Sequence, residues 1–141
     1  MRRVTAIVVL VFAAAAVVAA PAAALKTKTF QAPSGNIGCV LLLSGSGNEA
    51  RCDVAQHSWK APPKPRSCHL DFGNGLVVGD KGRAQFVCAG DTVLHQGPTL
   101  AYGRSIRLGK FRCASKSSGM RCVNRANGHG FKASRTVARR F

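Results

Sequence analysis

The amino-acid sequence predicts an all-β protein, a small antiparallel sandwich or barrel of short strands stapled by three disulfides. Three observations support this fold class. Short apolar or alternating runs recur between turns, and the chain contains 15 glycines to form those turns. No amphipathic helix pattern follows the first 24 residues. Six cysteines, an even number, lie beyond that point, as is typical of small exported domains.

The first 24 residues have the three parts of a secretory signal peptide. Residues 1–3 carry positive charge, residues 4–20 are apolar, and residues 22–24 supply small side chains for cleavage after Ala24. The alternative is an uncleaved membrane anchor, because the apolar run is nearly long enough to span a bilayer. The cleavage motif favours removal. We therefore expect residues 25–141 to form a single secreted domain, extracellular or in the cell wall, without a membrane span.

Turn residues divide the rest of the chain into short predicted strands. The predicted strands are residues 28–30, 37–43, 49–54, 76–78, 83–88, 92–95, 99–102, 105–108, 110–114, 120–124 and 130–134. The proline-rich segment 61–65 cannot join an interior strand, since proline lacks the N–H donor, and we expect a stiff crossover there. Asp80, Lys81 and Gly82 are expected to form a hairpin turn. Many short strands of this kind are typical of a sandwich or barrel.

The cysteines are interpreted as disulfide-bonded and not as metal ligands. Structural zinc sites use cysteines about two to four residues apart. The closest pair here, Cys113 and Cys122, is much further apart. We therefore expect no metal and no other cofactor. Six cysteines permit 15 pairings, and the sequence alone does not prove one of them.

The first candidate hairpin favours a bridge between Cys39 and Cys52. If these two face each other, the apolar residues of both strands gather on the cystine side. Glu49, Arg51 and Asp53 then share the opposite face. The bridge is consistent with the pattern because it separates apolar from charged residues.

The second candidate hairpin favours a bridge between Cys113 and Cys122 for the same reason. It places Phe111 on the cystine side. The opposite face then collects four basic residues, Lys110, Arg112, Arg121 and Arg125. Cys68 with Cys88 follows by elimination. The two hairpins with their cystines also suggest a short internal repeat.

Charge is distributed unevenly along the chain. The sequence has 21 lysines and arginines against five acids, a formal net charge of +16, and residues 92–141 contain no acid. Such asymmetry favours negatively charged partners. The face of Lys110, Arg112, Arg121 and Arg125 is therefore the candidate polyanion-binding site, with anionic cell-wall polymers or another cell-envelope surface as ligand. The alternative is a basic surface that only solubilises the protein.

No catalytic motif is recognised. A G-x-S-x-G nucleophile elbow is absent, full pairing leaves no free thiol, and no dedicated nucleic-acid motif is present. We therefore expect a monomeric, non-enzymatic binding or structural module. One alternative is a small ribonuclease-like phosphodiesterase using His129, although its glycine neighbours favour a turn residue. Another is an inhibitor or toxin that docks on a protein target through the loop 61–66.

Spaced motifs relate the chain to a known family. They are Phe-Gln-Ala-Pro-Ser-Gly-Asn-Ile-Gly-Cys at 30–39, Arg-Cys-Asp at 51–53, Cys-Ala-Gly-Asp-Thr at 88–92, Leu-Ala-Tyr-Gly at 100–103, Gly-Met-Arg-Cys at 119–122 and Gly-His-Gly-Phe at 128–131. On these motifs, residues 30–141 resemble a family of short, exported, mainly actinobacterial proteins described only as a domain of unknown function. Ala32 stands where serine is expected. The resemblance implies export, a cysteine-bridged fold and extracellular or cell-wall residence, and it brings no active site.

Overall fold

The protein is an antiparallel β-sandwich. The computed structural model describes residues 19–21 and 23–141, which contain two five-stranded sheets. The predicted all-β class is confirmed, and the architecture is the sandwich, not the barrel. Nearly all of the predicted signal peptide, residues 1–18 and 22, lies outside the described residues. No helix in the described part of the chain is long and apolar enough to cross a membrane.

The first sheet is a meander whose strands follow one another in chain order. Its strands are β1 (Lys26–Gln31), β2 (Ile37–Ser44), β3 (Gly47–Val54), β4 (Asp71–Gly79) and β5 (Gln85–Ala89). The prolines of segment 61–65 lie in the connection between β3 and β4, outside any strand, as their missing N–H donors require. Residues 80–84 form the turn between β4 and β5, where the sequence predicts it.

The second sheet is also a meander in chain order. Its strands are β6 (Ser105–Leu108), β7 (Phe111–Lys116), β8 (Gly119–Asn124), β9 (Gly130–Ala133) and β10 (Ala138–Arg140). Strand β10 is not among the predicted strands, because three residues are too few for alternation to show. It nevertheless completes the sheet by pairing Arg139 with Lys132 of β9.

A strap, defined as residues 90–100, connects the two sheets and replaces two predicted strands. His95 and Gly97 adopt positive φ angles of 58° and 75°, so the chain turns here and cannot continue as a strand. The strap crosses the outer face of the first sheet, where a side chain at Gly38 would collide with the backbone of Val93. Near its end, Thr99 forms a single parallel bridge to Gln31 of β1.

Three disulfides join the expected cysteines: Cys39 with Cys52, Cys68 with Cys88, and Cys113 with Cys122. The first and third are cross-strand pairs in register, each on the second and third strands of its sheet. The Sγ atoms of Cys52 and Cys122 lie 3.6 Å apart, so these two cystines pack together between the sheets. The largest fully buried side chains around them are Phe30, Phe111, Phe131, Leu41, Leu76 and Met120.

Candidate functional site

The outer face of the second sheet carries one cation on each of its five strands. Cys113, Cys122 and Phe131 are fully buried between the sheets, so alternation turns their strand neighbours outward. The outward cations are Arg107 on β6, Arg112 on β7, Arg121 on β8, Lys132 on β9 and Arg139 on β10. We call these five residues the cationic stripe. Because the strands are adjacent, the stripe crosses the whole sheet.

The strand register shows how the stripe is arranged. Arg121, Lys132 and Arg139 are direct cross-strand neighbours in one row. Arg107 and Arg112 are neighbours in the adjacent row. Adjacent strands lie about 4.8 Å apart, so each row brings its charges close together. Like charges in this position repel one another, and the face therefore favours an anionic partner that relieves the repulsion.

The stripe has little internal neutralisation. The ion pairs in the described part of the chain involve Arg51 and Lys110, and none involves the stripe. Arg112 donates one hydrogen bond, from Nη2 to the Ser105 hydroxyl at 3.2 Å, and its Nε–H has no acceptor among the described residues. The guanidinium of Arg121 lies 4.6 Å from the centre of the Phe141 ring. Arg112 and Arg121 thus have neutral contacts, and no cation of the stripe is paired with a described carboxylate.

The structure separates the four basic residues that the sequence groups together. Arg112 and Arg121 belong to the cationic stripe. Lys110 lies in the turn between β6 and β7, and its ammonium pairs with the Asp80 carboxylate at 2.6 Å. Arg125 lies one residue beyond β8 and is exposed. The structure thus places Arg112 and Arg121 in the stripe, and it shows the Lys110 ammonium in contact with the first sheet.

Sequence reasoning missed Arg107, Lys132 and Arg139. Strand alternation could have found two of them. Arg107 on β6 is the cross-strand partner of Arg112, and Lys132 on β9 is the cross-strand partner of Arg121. Arg139 could not be found in this way because β10 was not predicted.

Lys110 contributes to a clamp between the two sheets. Asp80, in the turn after β4, accepts hydrogen bonds from the Asn48 amide at 3.1 and 3.2 Å as well as the ion pair from Lys110. The Lys110 and Asn48 donors hold the pKa of Asp80 below the ordinary aspartate value of 3.8. The amide of buried Asn124 donates to the carbonyl oxygens of Gly79 and Asp80 at 3.0 and 3.2 Å. Lys110 therefore has a structural contact on the first sheet.

A second polar cluster lies on the outer face of the first sheet, under the strap. Arg51 donates Nε and Nη2 to the two Asp53 oxygens at 2.9 and 2.8 Å, and Nη1 to Asp91 at 2.9 Å. Thr92 and the Val93 N–H each donate to Asp53 Oδ2 at 3.1 Å. The predicted separation of these charged residues from the cystine side is correct, but the strap buries them: Arg51 is 8% and Asp53 4% exposed.

A cleft of about 440 Å³ lies beside this cluster. Its lining includes Asp53, Asp71 and Asp91. The Arg51 hydrogen bond and charge hold the pKa of Asp91 below 3.8, whereas burial raises the pKa of Glu49, on the same face of β3, above its ordinary value of 4.5. Because the Asp53 oxygens already accept bonds from Arg51 and the strap, the cluster fastens the strap to the sheet.

The phosphodiesterase alternative depends on His129. His129 is in the turn before β9, where its N–H donates to Asn127 Oδ1 at 3.0 Å and its carbonyl accepts the Asn124 N–H at 2.8 Å.

The sulfurs of Cys52, Cys113 and Cys122 lie within 4.8 Å of one another. A metal would need thiolates, and these sulfurs are all in disulfides.

Fold and surface together define a disulfide-bonded β-sandwich with an unneutralised basic face on one sheet. Residues 7–141 match a family of unknown function, DUF6636. The chain belongs to this family, in agreement with the resemblance seen in its motifs. No curated protein and no solved structure matches the chain.

Proposed function

We propose that this protein is a secreted, monomeric, non-enzymatic binding module that engages anionic polymers of the cell envelope through its cationic stripe. The observation that carries the proposal is the placement of one cation on each strand of the second sheet, without an ion-pairing carboxylate among the described residues. A row of cations favours a charged polymer as ligand, because each contact between a cation of the stripe and an anionic group of the polymer adds to the affinity.

Secretion is part of the proposal and is supported by the cysteines. All six are in disulfides, which persist in oxidising compartments outside the cytoplasm. The three parts of the signal peptide in residues 1–24 point to the same compartment. Envelope polymers are the anions that such a protein meets first.

Neutralising the stripe tests the proposal. We expect R107Q/R121Q/R139Q to lose at least tenfold in affinity for fluorescently labelled heparin, a linear polyanion, measured by anisotropy at 50 and 200 mM NaCl. Each lost contact also removes counterion release, so the dependence of affinity on salt should become weaker by about one unit of logarithmic slope per cation.

A matched variant controls for net charge. K60Q/K64Q/R66Q also removes three cations, from exposed positions in the proline-rich connection. We expect it to keep its affinity within about threefold, because none of its charges belongs to the cationic stripe. Equal losses in the two triple variants would contradict the proposal and would identify the charge as a general solubilising surface.

A further inference from the structure

The shape of the cationic stripe carries information about its ligand. The stripe holds five charges on five consecutive strands, and strands lie about 4.8 Å apart, so its length is roughly 20 Å. The step between its two rows, from Arg112 to Arg121, is a diagonal of about 7–8 Å. The charges therefore form a narrow band that runs across the strands.

The two rows of the stripe hold no other charge. Their remaining outward residues are Ser105, Ala114, Val123 and Gly130. These residues are small or apolar, and the Phe141 ring packs over Gly130. Lys116, the next outward residue of β7, adds a cation at the side of the band. The charges still extend furthest across the strands, so the band fits a linear anion better than a compact one.

The chemistry of the stripe favours phosphate groups. Four of its five cations are arginines, whose planar guanidinium groups donate two parallel hydrogen bonds to phosphate. Each singly charged phosphodiester needs one such partner.

The stripe offers no free platform for nucleobases. Proteins that bind single-stranded nucleic acids stack bases on exposed aromatic rings. Phe141 packs over Gly130 and carries the Arg121 guanidinium on its ring. The exposed ring of Tyr102 precedes β6 and does not belong to the two rows of the stripe. Because Arg121 already occupies the Phe141 ring, a base gains little there.

We infer that the cationic stripe binds a linear phosphodiester polymer through its phosphates alone, with the polymer lying across the strands and meeting one cation per strand. This inference rests on the proposed function and names its ligand class. A base-free polymer of this chemistry is a chain of polyols joined by phosphates.

The test uses synthetic oligomers with a sugar–phosphate backbone and no bases, of three, five and eight phosphates, labelled for anisotropy. We expect affinity to rise at least tenfold from three to five phosphates and by less than threefold from five to eight. Oligothymidylate with the same number of phosphates should bind within threefold of the base-free oligomer. Arg107→Gln removes one end of the stripe and should abolish most of the gain from three to five phosphates. Lys64→Gln removes an exposed cation of the connection between β3 and β4 and should preserve that gain.

Three results would overturn the inference. A uniform rise in affinity up to eight phosphates and beyond would show general attraction without a five-charge site. Tenfold tighter binding of oligothymidylate would identify the ligand as single-stranded nucleic acid. The third result is that the unmodified protein binds heparin, that R107Q/R121Q/R139Q does not, and that neither binds any phosphodiester oligomer. This result would reject the ligand class and leave the proposed function standing.

Discussion

Arg51 shows what burial does to a single charged residue in this protein. Its guanidinium is almost completely covered, and it bonds to both oxygens of Asp53 and to the Asp91 side chain and carbonyl. Transferring a charged side chain from water to the protein interior costs several kcal/mol, and only a full set of hydrogen-bond and ion-pair partners offsets this cost. Replacing both Arg51 and Asp53 by uncharged residues should therefore reduce the stability of the protein less than replacing Arg51 alone.

Arg51→Met should lower the free energy of unfolding by about 3–5 kcal/mol, because it leaves the Asp53 carboxylate buried without its counter-ion. Urea denaturation followed by fluorescence of Trp59 measures this. The double variant R51M/D53N should be more stable than R51M, with a coupling of about 0.5–3 kcal/mol. Additive losses in the two single variants would show that the pair is not coupled.

At the scale of elements, the connection between β3 and β4 is a loop held at two points. Near its start, the Trp59 indole donates to the Ser134 carbonyl at 2.8 Å and stacks on His57 with ring centres 3.5 Å apart. Near its end, Cys68 is bridged to Cys88 on the edge strand β5. Cys88 is exposed, whereas the cysteines of the other two disulfides are fully buried. The three disulfides therefore differ in their access to reductant.

Mild reduction should open the Cys68–Cys88 disulfide first, because thiol–disulfide exchange requires a thiolate to reach a sulfur. Treatment with a thiol reductant under native conditions, followed by alkylation and mass spectrometry, should label Cys68 and Cys88 alone. The freed loop should then become sensitive to proteases between Trp59 and Cys68. Simultaneous labelling of Cys39, Cys52, Cys113 and Cys122 would contradict this order.

At the scale of the whole molecule, charge is separated between the two outer faces. Glu49, Asp53 and Asp91 lie on the outer side of the first sheet, together with Arg51. The cationic stripe lies on the outer side of the second. The sheets pack through an apolar core, so these faces point in opposite directions. Under the proposed function, this separation would turn the second sheet towards an anionic polymer.

The clamp of Asp80, Lys110 and Asn124 also acts on the whole molecule, because it joins the two sheets. Asn124→Ala should lower the free energy of unfolding by about 1–3 kcal/mol, since it leaves the carbonyl oxygens of Gly79 and Asp80 without their buried donor. Chemical denaturation measures the change. Asn127→Ala removes only exposed contacts, the bond of its amide to the Asp80 carbonyl at 3.4 Å and the bond that its Oδ1 accepts from the His129 N–H at 3.0 Å, and should cost less, about 0.5 kcal/mol. Similar losses in both variants would argue against the clamp.

Local patterns predicted much of the fold. Alternation around Cys39–Cys52 and Cys113–Cys122 identified both hairpins, their disulfides and their apolar sides, because a cross-strand bridge and a period of two residues are local properties. The same patterns found Arg112 and Arg121 on the outer face. They could not find β10, which is too short to show a period and forms because β9 offers it an edge.

The sequence by itself determined the all-β class and the excess of positive charge, since both follow from composition or from neighbours along the chain. It favoured the two cross-strand disulfides, and the structure confirmed all three pairs. Tertiary structure alone decided where the charges go. Lys110 pairs with Asp80 across the sandwich, Arg51 is buried beneath a strap forty residues away in the chain, and Arg139 completes the cationic stripe. These placements depend on contacts between distant segments, and the pattern of one strand contains no information about which partner covers its outer face.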